Sequence, residues 1–354
     1  MGRYRKGAGP AFGELFMVGV PGPTIDSDTY ELVRDYGINN FILFKRNVVD
    51  PLRLFRLCRD LKDACLENGL VPPLISIDQE GGRVARLGAP FTQFISPSEM
   101  AGSPDPERAV KDFARVAAGE LKLVGCNMNL VPVLDLAWPG ADGVMEGRTL
   151  GNDPAIVGRL GSLMIQGLQE RGIAATAKHF PGIGRVKSDP HYHLPVIEGS
   201  SLELEARDLL PFRAAISANV ASVMTAHVIY PDLDKENPAT LSSEIVTALL
   251  RHRLGFDGIV IADDMEMGAI EGHYTIEESA VRAFQAGVDL LLICHKKEKV
   301  VQAFDAIAGL VGEDDPGRRL LAESLERINR IKGIFTGGEQ PGNAEETIKN
   351  YFKL

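Results

Sequence analysis

The chain has 354 residues, 45% of them apolar and 24% charged, with a formal net charge of −10. That is ordinary globular composition, and the length suits one large barrel or two average domains. The acidic balance disfavours nucleic acid as a partner, since phosphate binding needs a concentrated basic face. No apolar run reaches the ~20 residues of a membrane span.

Taken in chain order, the opening MGRYRKGAGP is basic and Gly-rich, with no apolar stretch behind it. It reads as a flexible segment over residues 1–10 and not as a secretory signal, so a cytoplasmic protein is expected. Short apolar runs then alternate with stretches of helical period. The expected strands are 15–20, 40–44, 74–77, 127–134, 174–177, 221–225, 258–262 and 289–293. The expected helices are 27–36, 51–68, 105–124, 153–171, 201–219, 242–254 and 275–286, followed by 298–311 and 316–334. Ser27, Asp50, Asp105, Asp153 and Ser242 stand where N-caps belong, and Gly37, Gly69, Gly125, Gly172, Gly255 and Gly287 where helices stop.

Eight such units predict an α/β fold, a single-domain (β/α)8 TIM-type barrel over residues 11–335 with a C-terminal tail at 336–354. An open doubly wound sheet would instead declare a Gly-rich phosphate turn after its first strand, and MVGVPGPT does not match that pattern. Cys58, Cys65, Cys126 and Cys294 stand singly, with no CxxC, and read as buried free thiols in a reducing compartment.

In a barrel the chemistry sits at the carboxyl ends of the strands. Asp78, Asp135, Lys178 with His179, His227, Asp263 with Asp264, and His295 all fall at such ends. Any one of them could be a cap or a polar rim residue; together they describe a polar mouth. Within IDQEGGRVARL, the residues Asp78, Glu80, Arg83 and Arg86 crowd a Gly81–Gly82 turn. That is either a loop tied by its own ion pairs or a carboxylate–guanidinium set for adjacent sugar hydroxyls.

The segment KHFPGIGRVKSDPHYHLP, residues 178–195, is kept irregular by Pro181, Gly182, Gly184 and Pro190. It carries Asp189, His191 and His193, and an Asp two residues before a His suits a proton-transfer dyad. The His spacing matches no helical zinc-ligand pair. In GIVIADDMEM an apolar strand delivers Asp263 and Asp264, which point to opposite sides of an extended chain. Spacing alone does not say which of the two enters the pocket.

The combination DQEGGRVAR, GRTLG, KHFPGIG…DPH and ADDMEM resembles glycoside hydrolase family 3, and within it the bacterial β-N-acetylglucosaminidases of cell-wall recycling. The likeness runs over roughly residues 11–335. It implies a retaining hydrolase of terminal β-linked N-acetylglucosamine, with Asp263 as nucleophile, His191 as acid/base and Asp189 as its partner. It further implies that Asp78, Arg86, Arg148, Lys178 and His179 hold the sugar. No metal and no organic cofactor is needed. The expected partner is a small muropeptide-like glycoside, taken up by a monomer. The stretch AWPGADGVMEG before Arg148 departs from the family pattern, and so does Pro190 between Asp189 and His191. A family 3 β-glucosidase, an enzyme using phosphate as acceptor, a Schiff-base lyase on Lys178 and a catalytically silent sugar-binding barrel are the competing expectations.

Overall fold

The computed structural model describes residues 12–138, 143–186, 194–311, 316–337 and 343–354. The apolar runs form eight strands: β1 Phe16–Gly19, β2 Asn40–Leu43, β3 Leu74–Ile77, β4 Met128–Asn129, β5 Ala174–Phe180, β6 Ser222–Thr225, β7 Ile259–Ala262 and β8 Leu291–Ile293. Nearly all of their residues are buried, as strands covered on both faces must be. They pair in parallel in the order β7-β6-β5-β4-β3-β2-β1-β8. A bridge between Ile261 and Leu290 joins the two ends, with the Ala262 amide donating to Leu290 O at 2.8 Å. The result is the (β/α)8 barrel that the alternation predicts.

Around it lie α1 Ser27–Tyr36, α2 Pro51–Glu67, α3 Pro106–Val124, α4 Pro154–Gln169, α5 Ser201–Ala206, α6 Leu209–Ser217 and a wide π-type helix Glu244–Arg253. α7 Ile276–Ala286, α8 Lys297–Leu310, α9 Pro316–Phe335 and α10 Ala344–Phe352 complete the layer. Asp50, Asp105 and Asp153 cap their helices by accepting first-turn amides, each followed by a proline that needs no partner there. α1 is capped by Asp26, one residue ahead of the expected Ser27. None of the described helices is long and apolar enough to cross a membrane.

Three segments differ from expectation. The run 127–134 holds regular pairing only at Met128–Asn129, because Pro132 has no N–H to give and Val133 keeps a lone bridge to Lys178. The expected helix 201–219 breaks at Arg207–Asp208, where the Asp208 side chain is drawn inward to an ion pair with Arg185. The stretch 336–354, expected only as a tail outside the barrel, contains α10, which packs on α2 and α3 with Ile348 and Phe352 buried. Phe352 meets Phe91 edge-on at 4.8 Å.

Candidate active site

β3 ends on Asp78, and the chain turns back at once through a hairpin formed by Gln79–Gly81 and Val84–Ala85. Gly81 and Gly82 carry φ of 98° and 59°, and a Cβ on Gly81 would stand 2.5 Å from Ile95 O, so the turn requires glycine. The turn returns Arg86 to Asp78, with Nη2 3.1 Å from Oδ2. From β5, Lys178 Nζ reaches both Asp78 Oδ1 and Glu80 Oε1 at 2.8 Å. Arg148 grips Glu80 with both prongs at 2.8 Å and gives a third donor to Val144 O.

Burial opposes charge on Asp78, Glu80, Arg148 and Lys178. Lys178 and Arg86 nevertheless hold Asp78 well below the usual carboxylate range, and Lys178 with Arg148 lowers Glu80 from its ordinary value. Burial likewise presses on Lys178, but Asp78 and Glu80 keep its ammonium above the ordinary value. Asp78, Glu80 and Lys178 are therefore ionised. Arg148, expected to touch sugar, lines the cavity but spends donors on Glu80 and its own loop.

His179 follows Lys178, and its Nδ1 lies 2.7 Å from Asp135 Oδ2 at the end of the β4 segment. Asp135 also accepts the amides of His179 and Ile183, so one buried carboxylate fixes both ring and loop root. The loop then passes so close to Leu136 that a Cβ on Gly184 would stand 1.8 Å from Leu136 O. Beyond it Arg185 bridges Asp208 and Glu203 and lies over the Trp138 ring at 4.8 Å. Asp189, His191 and His193 follow this root and lie outside the described residues.

β7 delivers Asp263 and Asp264. The Asp264 amide donates to Asp263 Oδ1 at 2.8 Å, and Asp264 Oδ1 accepts the Glu266 amide at 3.1 Å. Asp264 Oδ2 faces His295 Nε2 at 3.5 Å. Asp264, Glu266 and His295 bring ligand atoms within 4.8 Å of one another, the one such group among the described residues. Each already has an internal partner: the His295 amide and Lys299 meet Glu266, and Arg46 approaches His295.

These elements enclose a cavity of about 840 Å³. Its lining includes Asp78, Arg86, Arg148, Lys178, His179 and Asp263. All the candidate sugar-binding residues and the candidate nucleophile thus share one space, with Asp264 and His295 at its side. Asp135 stands behind the wall, a supporting role that position at a strand end does not distinguish from a lining one. The pairings Glu80–Arg148 and Lys178–Asp78 span 68 and 100 residues and carry no local sequence signal.

The sequence profile of the glycosyl hydrolase family 3 N terminal domain matches residues 11–331. A beta-hexosaminidase of Xylella fastidiosa is 33% identical over 83% of this chain and 87% of its own length. One from Thiobacillus denitrificans is 37% identical over 80% of this chain and 78% of its own. Among solved structures, a family 3 beta-N-acetylglucosaminidase from Paenibacillus sp. superposes with a TM-score of 0.89 at 34% identity, covering 97% of this chain and 68% of that one. Native NagZ from Neisseria gonorrhoeae gives 0.79 at 29% identity, over 96% and 94%. The chain is a glycosidase belonging to glycosyl hydrolase family 3.

Proposed function

We propose that this chain is a retaining β-N-acetylhexosaminidase that releases terminal β-linked N-acetylglucosamine by double displacement. The observation that carries the reading is the placement of Asp263 in one cavity with the ion-paired Asp78–Lys178–Arg86 set. The hexosaminidase names of relatives at 33% and 37% identity support the sugar.

Asp263 attacks the anomeric carbon while His191 protonates the leaving oxygen, which gives a glycosyl-Asp ester. His191 then takes a proton from the water that opens the ester, and two inversions retain configuration. Asp189 fixes the tautomer of His191, whose ordinary pKa of ~6.5 suits both halves of the cycle. Asp78 accepts from sugar hydroxyls, while Arg86, Arg148, Lys178 and His179 complete the subsite. The route uses no metal or cofactor. The substrate we favour is a muropeptide-derived disaccharide, acted on by a cytoplasmic monomer; four buried free cysteines fit a reducing compartment.

The test is hydrolysis of p-nitrophenyl N-acetyl-β-glucosaminide, run beside the glucoside and with phosphate added. The N-acetyl substrate should be preferred, phosphate should not accelerate turnover, and the first product should be the β-anomer. Asp263→Asn should lower kcat by at least ~10³-fold, the scale of losing a nucleophile. An undiminished rate, or an inverted product, refutes the mechanism.

A further inference from the structure

His227 lies just beyond β6, 2% exposed, and the double-displacement route leaves it without a task. Its Nε2 lies 3.0 Å from the backbone oxygen of Asp264, and its Nδ1 lies 2.9 Å from Thr240 Oγ1. A carbonyl only accepts, so Nε2 carries the proton. Nδ1 is then an acceptor, served by the Thr240 hydroxyl, which in turn lies 2.9 Å from Thr225 Oγ1. Thr240 Oγ1 also lies 3.0 Å from Ala226 O, so Nδ1 shares the single hydroxyl proton with that carbonyl, which takes the Thr240 amide as well. Burial depresses the pKa of the imidazole, outweighing the nearby Asp263 charge and the Asp264 carbonyl, which agrees with the neutral tautomer.

The peptide held in this way is Asp264–Met265, the second after the candidate nucleophile. The remaining ties on the turn are local or belong to the barrel wall: the Met267 amide to the same Asp264 O, the Glu266 amide to Asp264 Oδ1, the Asp264 amide to Asp263 Oδ1, the Ala262 amide to Leu290 O, and the Met265 amide to Leu292 O. His227 adds a side-chain donor from the neighbouring strand end to the Asp264 carbonyl. A displacement of the attacking carboxylate by about 1 Å costs on the order of 10²-fold in rate.

We infer that His227 is a positioning residue for the nucleophile: its neutral imidazole, with the tautomer set by the Asp264 carbonyl, donates from Nε2 to that carbonyl and so braces the turn that carries Asp263. The inference rests on the reading of Asp263 as nucleophile. With both ring nitrogens occupied, His227 is not a second acid/base, so its loss slows attack alike for good and poor leaving groups.

The experiment compares His227→Gln with His227→Asn. The Gln amide nitrogen reaches the place of Nε2 and keeps the donor to Asp264. The Asn amide stops near Nδ1 and keeps only the contact to Thr240. With similar unfolding midpoints, Gln should stay within about 10-fold of the parent, while Asn should lose about 10²-fold in kcat with KM little changed. That loss should be the same for nitrophenyl and unactivated glycosides. Equal activity in the two variants, a loss confined to poor leaving groups, or a loss that tracks stability overturns the inference. Failure of the parent reading is separate: it shows as an active Asp263→Asn.

Discussion

Two clusters of buried carboxylates and cations lie at opposite ends of the barrel. At the mouth are Asp78 and Glu80 with Lys178, Arg86 and Arg148. At the base, Asp289 precedes β8, fully buried, with Arg251 and Arg327. Burial and charge do not tell them apart; the filling of the acceptor sites does. Asp289 Oδ1 takes Ser324 Oγ and Arg327 Nη1, and Oδ2 takes the Val260 amide and Arg251, which uses the ~four lone-pair sites of a carboxylate. Among the described residues, Asp78 receives one donor on each oxygen and opens onto the cavity. A saturated carboxylate is scaffold; a half-filled one beside a cavity is free to accept a ligand's hydroxyls.

The sharpest way to break that contrast is to remove one member from each cluster. Asp289→Ala leaves Arg251 without its carboxylate and should cost about 3–5 kcal/mol in stability, with kcat of the folded fraction nearly unchanged. Lys178→Met leaves Asp78 with Arg86 and Glu80 with the Arg148 fork, so unfolding should shift less. Its kcat/KM should fall by about 10²-fold or more, as for loss of a preorganised donor. Denaturant titration and steady-state kinetics on both variants check this. If Lys178→Met is the less stable protein and the more active one, the assignment of the ends is reversed.

The mouth was legible in part. Lys178, Asp78 and Asp263 stand out because strand ends in a barrel are where polar residues converge, and an apolar parallel strand makes its own end visible. Who pairs with whom was not legible, because Glu80 meets Arg148 only once the barrel has closed. Nor did the sequence separate lining residues from supports: Asp135 and His227 occupy the same kind of position as Lys178 but turn behind the wall. Local pattern also failed where tertiary contacts overrode it. Asp208 interrupts a helical run in order to reach Arg185, and Ile348 with Phe352 forms an apolar edge of only a few turns, too short to announce a docked helix.

That docked helix offers a smaller test on the scaffold side. Phe352 is 8% exposed and packs on Phe91, downstream of the hairpin that returns Arg86. Phe352→Ala should cost about 3 kcal/mol, the low end for a buried phenylalanine because α10 lies on the outside of the helical layer. Turnover should be unaffected, since Gly81 and Gly82 hold the hairpin independently of α10. A parallel loss of kcat would mean that the tail reaches the mouth through Phe91.

The smallest effect belongs to a group at the mouth that is neither saturated nor buried. His295 is half exposed, and its hydrogen bond to Asp264 raises its pKa above the ordinary ~6.5, burial pulling the other way. A group whose pKa is raised on folding favours the folded state while it is protonated in both states, that is below its ordinary pKa. The benefit fades as pH rises through the raised value. The difference in unfolding midpoint between the parent and His295→Gln should therefore be largest near pH 5–6 and shrink toward pH 8. Exposure and screening keep it small. Asp264→Asn should abolish the pH dependence of that difference, because it removes the partner and leaves the imidazole near its ordinary value. If the difference instead grew with rising pH, His295 would be held neutral, and Asp264 would be free to brace the Asp263 turn without it.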